Sequence, residues 1–325
     1  MLPKLDCLPL ELLEAVIDQL AGTNTRWDPW YPPRKKDFWV PVIHGLKNLR
    51  LVSKELNHKA TSYFIRECLA NVKVSVQHNG CQKAVDILDH ESFNKGVKTL
   101  TIDASWMDDF YVTEDNFAQT IDAVIQKATN LESLVILEKL ECAQFHYLTP
   151  SNWVYWQAIK DVFRAISRQR RKLKILEFKS RVPEYQYMMQ LEYIYQEAML
   201  PATIFHAATI DPSIFSQLEV LKLQRLTAGD IGVGLCHTTL HSTLSTMRPL
   251  TTLILSGDNL PQSSTLFLAL STALPNLTLL TSLTVAHTVI PVTTLTAIIS
   301  SCPQTLKDLI FQFIRLPPLT PTTSS

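Results

Sequence analysis

The sequence predicts an α/β chain: a short helical module over residues 1–70, then an irregular solenoid of parallel strands alternating with helices over 71–316, then a disordered tail at 317–325. Three observations point there. A strand-like motif of apolar, two variable, apolar, one variable, apolar returns as VKTLTI at 97, LESLVI at 131, LKILEF at 173, LEVLKL at 218, LTTLIL at 250, LTSLTV at 280 and LKDLIF at 306. Helical stripes lie between the returns. The chain has only 8 glycines in 325 residues, and none form the glycine-rich turn with which a doubly wound parallel sheet holds a ligand.

The N-terminal module comes first. In LPLELLEAVIDQL, starting at Leu8, the residues Leu13, Val16, Ile17 and Leu20 recur at helical spacing, and Pro9 fits a first turn. A second amphipathic segment runs from Leu46 to Lys59, with Leu49, Val52 and Leu56 on one face, and a third covers Ser62 to Leu69. Three short helices bury too little apolar surface to be securely stable alone. Their leftover apolar positions therefore face either a partner or the following domain, as a cap, and periodicity alone does not choose between the two. Between the first two segments, residues 21–45 insert Trp27, Trp30, Tyr31, Phe38 and Trp39 among prolines.

The repeats follow. Asn71 to Gln77 alternates apolar and polar residues like a first strand. Helical candidates then alternate with the motif: Phe117, Ile121, Val124 and Ala128 after the capping candidate Thr113, and Trp156, Ile159, Phe163 and Ile166 after Ser151 and Asn152. Further on come Leu266, Leu270 and Ala273 before Pro275, and Leu295, Ile298 and Ile299 between Pro291 and Pro303. The stretch Ala228 to Met247 has the weakest stripe, diluted by glycine and threonine. From Pro317 the chain is rich in Pro, Thr and Ser, a composition that does not bury a core.

Two resemblances attach to these segments. LPLELLEAVIDQL and LRLVSKELN, the latter starting at Leu49, resemble in order the two conserved blocks of the F-box family. That resemblance covers roughly residues 6–65 and implies docking onto a Skp-type adaptor of a cullin-RING ubiquitin ligase, with Leu8, Pro9, Leu12, Leu13, Ile17, Leu49, Val52 and Ser53 at the matching positions. The insertion 21–45 departs from the family's short connection. The strand-helix alternation, at intervals of 26 to 45 residues, resembles a leucine-rich-repeat solenoid with parallel strands on its concave side. Its usual later Asn or Cys is missing from most units apart from Asn259 in LTTLILSGDNL.

Composition bounds the function. Lys plus Arg and Asp plus Glu each number 30, so the formal charge is zero and no global field draws in nucleic acid or an acidic membrane. Neither partner is expected. The cysteines Cys7, Cys68, Cys81, Cys142, Cys236 and Cys302 stand far apart, which suits free thiols in a reducing compartment. With no secretory signal pattern and no apolar run of spanning length, the expected location is intracellular, cytoplasmic and/or nuclear.

Catalytic patterns are missing: there is no GxSxG, no GxxxxGK[ST] and no HExxH. No enzyme activity, metal or cofactor is expected. Cys236 and His237 with His241 make the nearest metal candidate, without a second ligand pair. Glu141, Cys142 and His146 form no better a thiol site. The basic run Arg164, Arg168, Arg170, Arg171 and Lys172 suits phosphate or, as the favoured reading, the C-terminus of a helix, where cations offset the macrodipole. Tyr185, Tyr187, Tyr193 and Tyr195, with Met188, Met189 and Met199, crowd one insertion and read either as a target-binding surface or as packing over the solenoid.

These observations lead to a substrate-recognition adaptor of a Skp-cullin-F-box ubiquitin ligase, holding an unknown protein substrate on its repeats. The alternative is a repeat-built interaction scaffold whose N-terminal helices only cap the solenoid, with no ubiquitin role. A third class, an α/β hydrolase, requires a deep pocket converging on a nucleophile and base.

Overall fold

The computed structural model describes residues 70–76, 80–103, 117–138, 151–180, 200–201, 211–227, 233–257 and 264–316, together with Lys54, which is helical and exposed. The rest of the N-terminal module, with its insertion 21–45, lies outside the described residues.

Each returning motif forms a strand. The strands are β1 (Asn71–Ser75), β2 (Thr99–Asp103), β3 (Ser133–Glu138), β4 (Ile175–Ser180), β5 (Leu200–Pro201), β6 (Val220–Thr227), β7 (Thr252–Gly257), β8 (Ser282–Val289) and β9 (Asp308–Arg315). Between them lie α1 (Gly80–Leu88), α2 (Glu91–Asn94), α3 (Phe117–Lys127), α4 (Ser151–Arg168), α5 (Val233–Thr246), α6 (Ser264–Ala273) and α7 (Val292–Ser301), with 3-10 turns at Pro212–Phe215 and Leu274–Asn276.

All the pairings are parallel, and the order β1-β2-β3-β4-β6-β7-β8-β9 follows the chain, with the two-residue β5 beside the end of β6. A doubly wound sheet reverses its strand order at a switch point. The order of the described strands never reverses, so their crossovers run the same way and the described helices gather on one face. There α1 packs on α3, α3 on α4, α5 on α6 and α6 on α7, and the turn Pro212–Phe215 touches both α4 and α5. The result is a leucine-rich-repeat-like solenoid.

The register explains the motif. Its second apolar position builds one ladder, buried from Val72 and Leu100 through Leu134, Leu176, Leu221 and Leu253 to Leu283 and ending at Leu309, which is 36% exposed. Its third builds another, from Val74 and Ile102 through Ile136, Phe178, Leu223 and Leu255 to Val285 and Phe311. Because parallel strands pair evenly, like positions stack. Its first position, Val97 to Leu280, is buried below them.

Just before each strand a second rung forms on the backbone. Glu132 N–H donates to Lys98 O at 2.9 Å, Lys174 to Glu132 at 2.7 Å, Glu219 to Lys174 at 2.8 Å, Thr251 to Glu219 at 2.8 Å, Thr281 to Thr251 at 2.9 Å and Lys307 to Thr281 at 2.8 Å. The turn leading in also repeats: Leu218, Leu250, Leu280 and Leu306 each donate to the carbonyl three residues back, at 3.0 Å. At mid-array Phe163 of α4 meets Phe178 of β4 at 6.4 Å and Phe215 at 6.1 Å, the latter edge to face, which joins the two halves of the core.

One expectation needs correction, and two helices go beyond the sequence reading. Ile299, read as part of the buried stripe of α7, is 51% exposed, because α7 is the last described helix and has no neighbour on its far flank. Within the diluted stretch Ala228 to Met247, Val233–Thr246 forms the helix α5, and Leu240, Leu244 and Met247 are buried. α1 has no counterpart in the sequence reading: its buried residues are Cys81, Ala84 and Leu88, a stripe of mostly small side chains.

Candidate functional site

In a β-strand, residues next to inward ones point the opposite way. The variable positions of the motif therefore face out on the side that carries none of the described helices, and their register makes two outward rows. One row carries Asn71, Thr99, Ser133, Ile175, Val220, Thr252, Ser282 and Asp308; the other carries Lys73, Thr101, Val135, Glu177, Lys222, Ile254, Thr284 and Ile310.

These rows are chemically uneven. Over β1 and β2, Thr101 Oγ1 donates to Asn71 Oδ1 at 2.8 Å, and Lys73 Nζ meets Asp103 Oδ2 at 2.5 Å. The Asp103 side chain is only 4% exposed, so its charge is held by that partner. In the middle, Lys222 Nζ stands 3.9 Å from Glu177 Oε1, an ion pair too long for a hydrogen bond. Half-buried Val135, Val220 and Ile254 and the exposed Ile175 surround it. Over β7 and β8 the rows are Ser, Thr and Ile alone. Thr101 and Ser133 are buried in these rows, and the accessible stretch lies over β4 to β8. An apolar patch with a few fixed polar groups suits contact with another polypeptide more than chemistry on a small molecule.

The basic run is structural. Arg164 pairs with Asp161 at 3.1 Å and Arg168 with Asp122 at 3.7 Å. Arg171 donates from its two terminal nitrogens to Thr129 O and Gln126 O, both at 3.0 Å, and so caps the end of α3 from the next repeat. Arg170 takes φ 51°, and Arg171 N–H bonds back to Ile166 O at 3.0 Å, closing α4 as a glycine often does. Arg164, Arg168 and Arg171 are therefore engaged within the fold.

The remaining sequence candidates separate. Leu8, Pro9, Leu12, Leu13, Ile17, Leu49, Val52 and Ser53 lie outside the described residues, as do Tyr185, Tyr187, Tyr193 and Tyr195, Asn259, and the Glu141, Cys142 and His146 group. Cys236 and His237 fall in α5, with side chains outside the description. Among the described residues no three His, Cys, Asp or Glu converge as a metal site, and no helix is long and apolar enough to cross a membrane. Cys302 donates to Ile298 O at 3.2 Å, and burial pushes its thiol up. Lys95, bonded to the exposed Glu91 at 3.0 Å, holds that carboxyl down.

No family model matches the sequence, and no curated protein matches it. Among solved structures the chain is similar to an internalin (inlF) from Listeria monocytogenes, at 13% identity and TM-score 0.32 over 72% of this chain and 53% of that one. It is also similar to internalin C2 of the same organism, at 14% identity and TM-score 0.29 over 75% of this chain and 87% of that one. The chain thus spans about half the length of the first internalin. The assignment of a repeat solenoid rests on the strand order and ladders described above.

Proposed function

We propose that the protein is a non-catalytic recognition scaffold whose partner protein lies along the open face of the sheet. The observation that carries this is the one-sided layer of the described helices: a parallel sheet ordinarily has both faces covered, and among the described residues one face shows Val135, Ile175, Val220 and Ile254 around the Glu177 and Lys222 pair. A photo-cross-linking amino acid at Ile175 tests it, with Lys83 on α1 as the control. Cross-links to a partner from position 175 and not from 83 support the reading. Equal labelling from both, or none from 175 in cells where the protein is expressed, overturns it.

A finer reading extends the first: the scaffold is the substrate receptor of a Skp-cullin-F-box ubiquitin ligase. What supports it is the pair of N-terminal blocks, LPLELLEAVIDQL and LRLVSKELN, in the family's order. The chain would then act by proximity, raising the effective concentration of a target lysine near a charged ubiquitin carrier, while catalysis belongs to other subunits. The test is a pull-down of purified Skp-type adaptor by the full chain and by a Leu8→Ala/Pro9→Ala variant with an unchanged melting curve. Binding lost in the variant supports the receptor reading. No binding by the folded parent chain leaves the scaffold alone.

A further inference from the structure

Two rows of charge cross the sheet where β4 meets β6, and each leaves charge unmatched. Just before the strands, Lys98, Glu132, Lys174 and Glu219 follow one another along the backbone rungs with alternating sign. Lys174 pairs with Glu132 at 3.2 Å, which leaves the exposed Glu219 without an ion pair among the described residues. On β4, Leu176 and Phe178 are buried, so Ile175, Glu177 and Lys179 face outward. Lys222 takes Glu177 at 3.9 Å, and the exposed Lys179 beyond it has no ion pair among the described residues either. Glu219 N–H bonds to Lys174 O at 2.8 Å, level with the start of β4. Lys179, further along the same strand, stands about 17 Å above that level. Between the two charges lie Ile175, 36% exposed, and half-buried Val220, its partner in register.

We propose that this strip anchors the partner of the open face, and that the partner is a polypeptide segment presenting a basic side chain to Glu219, an apolar one to Ile175 and Val220, and an acidic one to Lys179. The inference rests on the open-face reading above and adds to it the chemistry and direction of what docks. An apolar centre with charge at its margin has the anatomy of a protein interface. Charges at a margin select and orient a partner more than they tighten it. Opposite signs at the two ends of the strip therefore fix the order in which a segment lies. Nucleic acid does not suit the strip, because its phosphates would meet the carboxylates of Glu219 and Glu177.

The experiment pans a displayed library of random dodecapeptides on the full chain and keeps the clones that an Ile175→Arg chain no longer binds. The kept clones should share the order basic, apolar, acidic. Against Glu219→Lys and Lys179→Glu chains their affinity should fall about 10-fold or more, since each exchange sets like charges together. Reversing the matching charge in the peptide should restore it. All three substituted residues are exposed or nearly so, and an unchanged circular dichroism spectrum checks each variant. Glu219→Gln and Lys179→Gln, which keep the size of the side chain closer, should show the same losses in smaller measure. Kept clones with no charge order, or affinities that neither exchange moves, overturn the proposal and leave the open-face reading standing. A library that yields no clone sensitive to Ile175→Arg overturns both.

Discussion

The repeats before β5 and those after it share one architecture and use two different polar chemistries. In the first set the helices carry charge, and ion pairs cross between repeats: Lys127 with Asp89, Arg168 with Asp122 at 3.7 Å, and Lys174 with Glu132 at 3.2 Å. In the second set α5, α6 and α7 contain no Asp, Glu, Lys or Arg at all. Hydroxyls take over. Ser245, Thr246, Ser271, Thr272 and Thr296 donate to carbonyls of their own helices at 2.7 to 2.9 Å. Thr251, Thr281 and Thr305 donate across repeats to Glu219 O, Thr251 O and Leu280 O. The backbone rung changes hands one repeat later, from Lys98, Glu132, Lys174 and Glu219 to Thr251 and Thr281. The apolar ladders run through both sets, buried as far as Leu283 and Val285 of β8. The ladders therefore define the repeat, and the outer polar positions need only satisfy the backbone groups that each turn leaves over.

The sharpest way to break this comparison is at its joint. Phe163→Ala removes the ring that links Phe178 to Phe215 and should cost about 3–5 kcal/mol, with urea unfolding of the variant splitting into two transitions as the halves uncouple. Gly257→Ala strikes the second set alone: a Cβ there would stand 2.8 Å from Thr288 Oγ1 and 2.9 Å from Thr288 Cβ. Overpacking of that kind should cost about 1–3 kcal/mol, and Thr288→Ala in the same chain should recover only the part due to the hydroxyl, because the Cβ at 288 stays 2.9 Å from the added methyl. The Thr288 hydroxyl is buried without a hydrogen-bond partner, so its loss leaves nothing unsatisfied. Arg171→Ala strikes the first set and should cost about 1–2 kcal/mol for two bonds to backbone carbonyls, read as a fall in the denaturant midpoint. The smallest effect sharpens the contrast: a double-mutant cycle on Glu132 and Lys174, half-exposed, should give under about 1 kcal/mol. That coupling should shrink as salt is added, while the cost of Thr281→Val should not change.

Much of the fold was legible because a ladder position tolerates few residue types. Each motif from VKTLTI to LKDLIF sits on an observed strand, and Asn71 to Gln77 holds β1. The turn Pro212–Phe215 was invisible since four residues give no periodicity, although Ile214 and Phe215 bury. The apolar residue three before the motif, Ala128, Phe215, Met247 and Leu277 in four of the repeats, was a usable sign of the incoming turn. α5 shows the limit of local preference, since packing against α6 outweighs its glycine and threonines. The open face was written in the variable places of the motif, where Ile175, Glu177, Val220 and Lys222 stand out once those places are known to look outward. What makes a contact surface is the adjacency of residues about 45 apart in sequence, and such adjacency has no local signature.

One more consequence lies in the backbone rungs. Among the described residues the strands and rungs pair each repeat with the one before and the one after along the sheet order. Pulled at its two ends, such an array bears load in series and yields rung by rung. A force trace on the protein should show a run of small releases rather than one rupture, the behaviour of a spring.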